Sequence, residues 1–274
     1  MEHTYAEYAA HQAVELLAID SPTGYTAEAE EFVLREFRAL GFAAERTAKG
    51  GILIDLGGEN ADDALLLEAH ADTLGGMVAE IKGDGRLRIV NVGGMNANNA
   101  EGENVKVYTH SGKVYEGTAQ LCNASIHVNG DYNDTKRTFD TLEVVLDENV
   151  STAKETQDLG ISAGDMVCFD PRTRRTETGY LKSRFLDDKL SVGILLGFAL
   201  LLALALLARP LLTAYLKTGA MGMETDLAGD LLCGYNRMTG EAFAATYQWD
   251  GREETMDFTV PDMVFGYRVT ALGG

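Results

Sequence analysis

Ala64-Leu65-Leu66-Leu67-Glu68-Ala69-His70-Ala71-Asp72, followed by Thr73-Leu74-Gly75-Gly76, is the stretch on which the reading of this chain turns. A continuous apolar run closed by glycines predicts an inner parallel strand, Leu65 to Ala69, covered on both faces. Open α/β sheets carry their sites beyond the carboxyl ends of such strands. His70 and Asp72 are therefore expected at that end. Far downstream stands Phe185-Leu186-Asp187-Asp188-Lys189. A His-x-Asp leaving a strand, with a later Asp-Asp before a helix, supplies what a two-metal hydrolase needs. The imidazole binds one ion, and the nearby carboxylate orients the ring from behind. An aspartate from elsewhere can bridge two ions through its two oxygens. A strand ending in ordinary polar residues accounts for His70-x-Asp72 alone; the two sites together, in this order, point to metal.

The surrounding pattern is α/β. Ala6 to Ile19 reads as a helix, with Ala13, Val14, Leu16 and Leu17 as its apolar face. Ser21-Pro22-Thr23-Gly24 breaks it with turn chemistry. A second helix starts near Thr26 with Glu28, Glu30 and Glu31 in a first turn that favours acidic side chains. Its core face is Phe32, Val33, Phe37 and Leu40, and Gly41 ends it. Ile52 to Leu56 reads as a further strand, completing a layered α/β opening.

Residues 73–179 change character. Short alternating runs appear at Arg86–Val90, Val105–Tyr108, Val114–Thr118 and Leu142–Leu146, with Ser111-Gly112 as a hairpin turn. The expected organisation is a catalytic α/β domain from residues 1–72 plus 180–274. A β-rich domain, residues 73–179, is inserted into it, and helical periodicity returns only after Asp188. Leu190 to Ala208 is nineteen residues without a charge. Its length admits a membrane span. No second span, aromatic belt or flanking basic cluster accompanies it, so it reads as a buried core helix.

Composition narrows the partners. The chain has 274 residues, is 46% hydrophobic and carries a net charge of −19. That length and apolar content suit one or two domains. Such an acidic balance disfavours nucleic acid and anionic membranes, which need clustered Lys and Arg. Cys122, Cys168 and Cys233 are far apart and form no Cys-x-x-Cys, so neither a thiolate zinc site nor a disulfide framework is indicated. They read as buried reduced thiols, and the N-terminus carries no secretory pattern. The expected location is the cytoplasm.

At these residues the chain resembles the glutamyl (tetrahedral, deblocking) aminopeptidase family of dinuclear metallopeptidases, from residue 8 to about 196. Ser21-Pro22-Thr23-Gly24 is similar to the family's turn after the first helix. Ala69-His70-Ala71-Asp72 with Gly75-Gly76-Met77-Val78 is similar to its metal strand and glycine-bearing exit. Gly93-Gly94 and the β-rich run resemble its second domain. Gly164-Asp165 with Phe169-Asp170-Pro171 resembles the return to the catalytic domain, and Arg184 to Gly193 its bridging-aspartate motif. The resemblance implies a zinc-peptidase-like α/β domain with an inserted small β-barrel that mediates homo-oligomeric assembly. It also implies two divalent ions, zinc or cobalt, and removal of N-terminal residues from peptides. By position, His70 becomes a terminal metal ligand, Asp72 its orienting partner and Asp187 the bridging carboxylate. The family's bridging aspartate typically precedes a cis peptide bond, here Asp187–Asp188.

Past about Phe198 the likeness fades. The histidines are His3, His11, His70, His110 and His127, so the family's late metal histidine is absent. In one register Met223-Glu224-Thr225-Asp226-Leu227-Ala228-Gly229 supplies Glu224 as a metal ligand, with Met223 where a general base is expected. In another, Val260-Pro261-Asp262-Met263 supplies the later metal aspartate and Glu241 falls at the base. Glu253-Glu254 reads as a solvated helix start. His110 and His127 read as structural or surface histidines. Tyr108, Tyr115 and Phe139 read as packing at strand positions, and Arg172, Arg174 and Arg175 as a loop or subunit contact. The rival readings are a non-catalytic peptide-binding or assembly protein that keeps the fold, and an anchored protein using Leu190 to Ala208.

Overall fold

The structure, a computed structural model, describes residues 4–58, 64–217, 231–235 and 242–247. The chain divides into two compact units, Tyr8–Leu196 and Met1–Glu7 with Gly197–Gly274. Helix α1 (Thr4–Leu17), which belongs to the first unit from Tyr8 onward, and α2 (Ala27–Ala39) precede an antiparallel pair, β1 (Ala43–Arg46) and β2 (Ile52–Asp55). Helix α2 forms where the sequence places it. Thr26 is its first flanking residue, and Phe32, Val33, Leu34 and Phe37 are its buried face. Gly41 at φ +90° turns the chain out of the helix, a conformation that costs glycine little.

Next come β3 (Gly75–Ile81), β4 (Leu87–Val92), β5 (Glu103–Tyr108), β6 (Val114–Leu121), β7 (Leu142–Leu146), α3 (Ala153–Asp158) and β8 (Met166–Phe169). The six strands close into an antiparallel barrel in the order β3-β4-β7-β6-β5-β8. Period-two alternation points Val105 and Val107 of β5, and Ala119 and Leu121 of β6, into its core with Leu87, Ile89, Val144 and Phe169. The β5–β6 hairpin turns at Ser111-Gly112, with Gly112 at φ +83° and its amide donating to the Thr109 carbonyl. Gly117 sits where an added Cβ would meet the Val145 carbonyl at 2.5 Å, so only glycine lets β6 approach β7 there. Buried Glu143 accepts from Lys82 and Arg86 at the barrel edge. A minor hairpin, β9 (Arg174–Arg175) with β10 (Leu181–Lys182), leads to α4 (Leu186–Lys217). The Asp187–Asp188 bond is cis, as the resemblance implies.

Several expectations are corrected. Residues 64–72 are no strand: Leu65, Leu66 and Leu67 are 85%, 71% and 46% exposed. An apolar run becomes a buried strand only where neighbouring strands offer a ladder, and among the described residues none pairs with it. Helical structure does return before Asp188. The short α3 is nucleated by a capping box in which Thr152 Oγ1 accepts from the Glu155 amide and the Glu155 side chain answers the Thr152 amide. Phe139 lies in a turn rather than on a strand, though it packs on the core. Cys122 is exposed, while Cys168 is buried as expected.

Helix α4 is only partly a core helix. In the first unit Val192 is buried and Ile194 is 54% exposed. In the second, Ala199 and Ala203 are buried, whereas Phe198, Leu201, Leu204, Leu206 and Leu207 are exposed. Among the described residues α4 alone is long and apolar enough to cross a membrane. Within Leu186–Ala208 an 18-residue stretch has a mean hydropathy of 2.8 and is 33% buried. The second unit also contains an antiparallel hairpin, β11 (Leu231–Tyr235) with β12 (Ala242–Tyr247).

Candidate metal centre

The turn after α1 builds the site. Thr73 donates its amide to the Ser21 carbonyl at 2.8 Å, and Thr23 donates its amide to the Thr73 carbonyl at 3.1 Å. These bonds make an isolated parallel bridge between Pro22 and Thr73. Ser21 Oγ donates to the Ala71 carbonyl at 2.7 Å, and Thr23 Oγ1 donates to Asp72 Oδ2 at 2.5 Å. Gly75 follows because Pro22 crowds it: a Cβ there would meet Pro22 Cβ at 2.6 Å. His70 and Asp72 are thus held by the Ser-Pro-Thr turn rather than by a sheet.

Asp72 Oδ1 and the Asp72 carbonyl both lie 3.1 Å from His70 Nδ1. Both are acceptors, so Nδ1 carries a proton and aims Nε2 outward. Nε2 faces Asp187 Oδ1 at 3.3 Å. The Asp187 side chain is 97% exposed, and His70 is about half exposed at 54%. Burial acts to lower the His70 imidazole. Hydrogen bonding to the Asp72 carbonyl, the Asp72 charge, Asp187 and the Asp188 charge outweigh it, and the ring is held above its ordinary value.

Asp187 is presented by the start of α4, which is locked onto α1. Lys189, 1% exposed, donates from Nζ to the Ile19 carbonyl at 2.6 Å and the Leu16 carbonyl at 3.0 Å. Burial pulls its ammonium down to about 8, against the opposing Asp20 charge. One turn on, an added Cβ at Gly193 would meet the Ala9 carbonyl at 2.7 Å and Ala13 Cβ at 2.8 Å, so the two helices touch backbone to backbone. Asp20, next in the chain after Ile19, accepts from Tyr108 Oη at 2.6 Å and Lys106 Nζ at 3.0 Å, tying the same turn to the barrel. Burial and the Asp20 carboxylate together push the Tyr108 phenol up. Beside His70 and Asp72 opens a cleft of about 570 Å³, walled by Glu30, Phe37, Lys49, Ile54, Leu67 and Val192.

The structure brings His70, Asp72 and Asp187 together. Glu224, Glu241, Glu253, Glu254 and Asp262 lie outside the described residues. Among the described residues no group of three His, Cys, Asp or Glu could hold a metal ion. The donor chemistry nonetheless fits one divalent ion as a partial ligand set: an outward imidazole nitrogen with its proton fixed on the far side, facing a solvated carboxylate. Donors for a second ion are not present among the described residues. His110 is a surface histidine held by the buried Asp165 at 2.5 Å, and His127 is exposed. Arg172 pairs with Glu103 at 3.2 Å in a loop, apart from the site. Thr23 and Lys189 stand inside the motifs Ser21-Pro22-Thr23-Gly24 and Asp187-Asp188-Lys189, but their partners, Asp72 and the Leu16 and Ile19 carbonyls, are visible only in the fold.

The chain is 44% identical over 182 residues to YhfE of Bacillus subtilis (strain 168), whose name carries a proposed aminopeptidase activity; this covers 66% of the chain and 53% of that relative. It is 26% identical to the glutamyl aminopeptidase of Lactococcus lactis subsp. cremoris (strain MG1363), over 60% of the chain and 46% of the relative. The chain thus spans about half the length of the curated relatives it matches. Among solved structures, an aminopeptidase from Desulfurococcus kamchatkensis superposes with a TM-score of 0.62 at 21% identity, covering 71% of this chain and 52% of that one. The Pyrococcus horikoshii TET1 peptidase, which can assemble into a tetrahedron or a large octahedral shell, gives 0.58 at 23% identity, over 69% and 54%. These two likenesses establish the fold. The family model for M42 glutamyl aminopeptidase matches residues 50–206, more than half of the sequence, and the chain belongs to that family.

Proposed function

We propose that the complete protein is a metal-dependent aminopeptidase that removes N-terminal residues from peptides, using two divalent ions, zinc or cobalt, with His70 and Asp187 as ligands. The observation that carries this is His70 Nε2 facing Asp187 Oδ1 at 3.3 Å across 117 residues of chain, with Asp72 behind the ring. When bound, a divalent ion supplies Lewis-acid polarisation of the scissile carbonyl and acidifies the attacking water. The chain's own residues do the rest. Asp72 keeps the proton on His70 Nδ1. Asp187 offers an open carboxylate. The apolar walls of the adjoining cleft suit a peptide side chain.

In one register Glu224 is the remaining ligand, and in the other Glu241 is the general base. With Met223 at the base position in the first register, turnover in this chain is expected to be weak, because losing a general base costs about 10²–10⁴-fold. We further propose that residues 73–179 form the assembly domain of a homo-oligomer and that the protein works in the cytoplasm. The absence of a three-residue metal cluster among the described residues favours a second reading, a peptide-binding or assembly protein that keeps the fold.

The test is release of a chromogenic amine from aminoacyl substrates with added zinc or cobalt. The expected result is weak, metal-stimulated turnover that disappears in His70→Ala. Turnover equal in the wild type and His70→Ala contradicts the proposal. Full turnover surviving both Glu224→Ala and Glu241→Ala refutes the assignment of the base.

A further inference from the structure

A single short turn touches both halves of the site. On one side, Ser21 and Thr23 hold residues 71–73 through two backbone and two side-chain hydrogen bonds. On the other, the Ile19 carbonyl receives the buried Lys189 ammonium, two residues after Asp187. Ser21 is itself fully buried. The spacing of His70 and Asp187 is therefore set by the end of α1, which supplies neither of them.

Within this turn the hydroxyl of Thr23 has a distinct task. Asp72 has two carboxylate oxygens and two customers: Oδ2 accepts from Thr23 at 2.5 Å, and Oδ1 lies 3.1 Å from His70 Nδ1. A carboxylate only accepts, so the threonine must donate. That bond fixes the rotation of Asp72, and with it one of the two acceptors, beside the Asp72 carbonyl, that keep the imidazole proton on Nδ1. We propose that Thr23 is a positioning residue for the metal centre, acting through Asp72 to hold His70 in the tautomer that leaves Nε2 free toward Asp187. The inference rests on the metallopeptidase reading for its consequence, not for its geometry.

The experiment compares the full wild-type chain with Thr23→Val, which keeps the shape without the hydroxyl, and Thr23→Ser, which restores the donor. Nitrogen-15 NMR of the His70 ring in metal-free protein, above the pH at which the ring titrates, reads the tautomer. A cobalt titration followed by visible absorption reads affinity, and the urea midpoint controls for folding. Thr23→Val is expected to show a mixed tautomer and about tenfold weaker cobalt binding, at an unchanged urea midpoint. Thr23→Ser is expected to recover both. An unchanged tautomer in Thr23→Val overturns the inference, whatever happens to the affinity, and so does failure of Thr23→Ser to recover it. A wild-type chain that binds no cobalt sinks the metal reading instead, and the tautomer alone then decides the role of Thr23.

Discussion

His70 Nε2 stands 3.3 Å from Asp187 Oδ1 although the two residues are 117 apart in the chain. Neither sits on a sheet strand that could place it. The relationship is made at the end of α1: the turn after it holds Ala71 and Asp72 through Ser21 and Thr23, and the Leu16 and Ile19 carbonyls receive Lys189, two residues after Asp187.

The backbone contact between α1 and α4 should be the least forgiving point of that arrangement. Gly193→Ala puts a methyl group 2.7 Å from the Ala9 carbonyl and 3.0 Å from the Ala13 amide nitrogen, both backbone atoms that cannot swing away. The helices must part. A loss of about 1–3 kcal/mol is expected, the usual cost of overpacking. Urea unfolding measures it, and an unchanged midpoint would show that the helices do not meet at this closeness.

The barrel edge offers a second test. Glu143 is fully buried and accepts at 2.5 Å from both Lys82 and Arg86. Removing one side of a fully buried pair costs about 3–5 kcal/mol. Here Lys82 and Arg86 are 33% and 40% exposed and can turn to water, so Glu143→Gln should cost less, about 2 kcal/mol. Chemical denaturation reads this. A stabilised Glu143→Gln variant would mean that the desolvation of the carboxylate outweighs both ion pairs.

Stability should also carry an acid-sensitive component from Glu101. Hydrogen bonding from Arg137 lowers its carboxyl against the opposing effect of burial, with Tyr132 helping. A folded-state value below the unfolded one means the contribution is present above the ordinary carboxylate value. It is lost as pH falls through the depressed folded value. Glu101→Gln is therefore expected to be about 1 kcal/mol less stable than the wild type near pH 7. The difference should close in strong acid, where both forms are uncharged. Unfolding midpoints across pH test this, and a gap that persists unchanged into strong acid would assign the loss to packing.

Much of this was readable from residue pattern. Val105, Val107, Ala119 and Val144 alternate as barrel strands must, and Ser111-Gly112 marks its hairpin. Phe32, Val33 and Phe37 face the core at helical spacing. His70 and Asp187 could be paired only because two motifs in the right order resemble one family's site. Leu65 to Ala69 misled because an apolar run reports a wish to be buried, while burial needs partner strands that composition does not supply. Strand β3 was passed over because Gly75 and Gly76 weaken strand propensity, yet Pro22 leaves no room for a side chain at Gly75. The roles of Thr23 and Lys189 depend on contacts between segments 49 and 170 or more residues apart, beyond the reach of local pattern.

The central claim, that His70 and Asp187 share a metal ion oriented by Asp72, is tested most directly by cobalt binding to the purified chain, followed by visible absorption and equilibrium dialysis. The account predicts at least one bound ion per chain, lost in His70→Ala, and weakened about 10–100-fold in Asp72→Asn. Binding that is absent from the wild type, or that survives His70→Ala and Asp187→Asn unchanged, would contradict it.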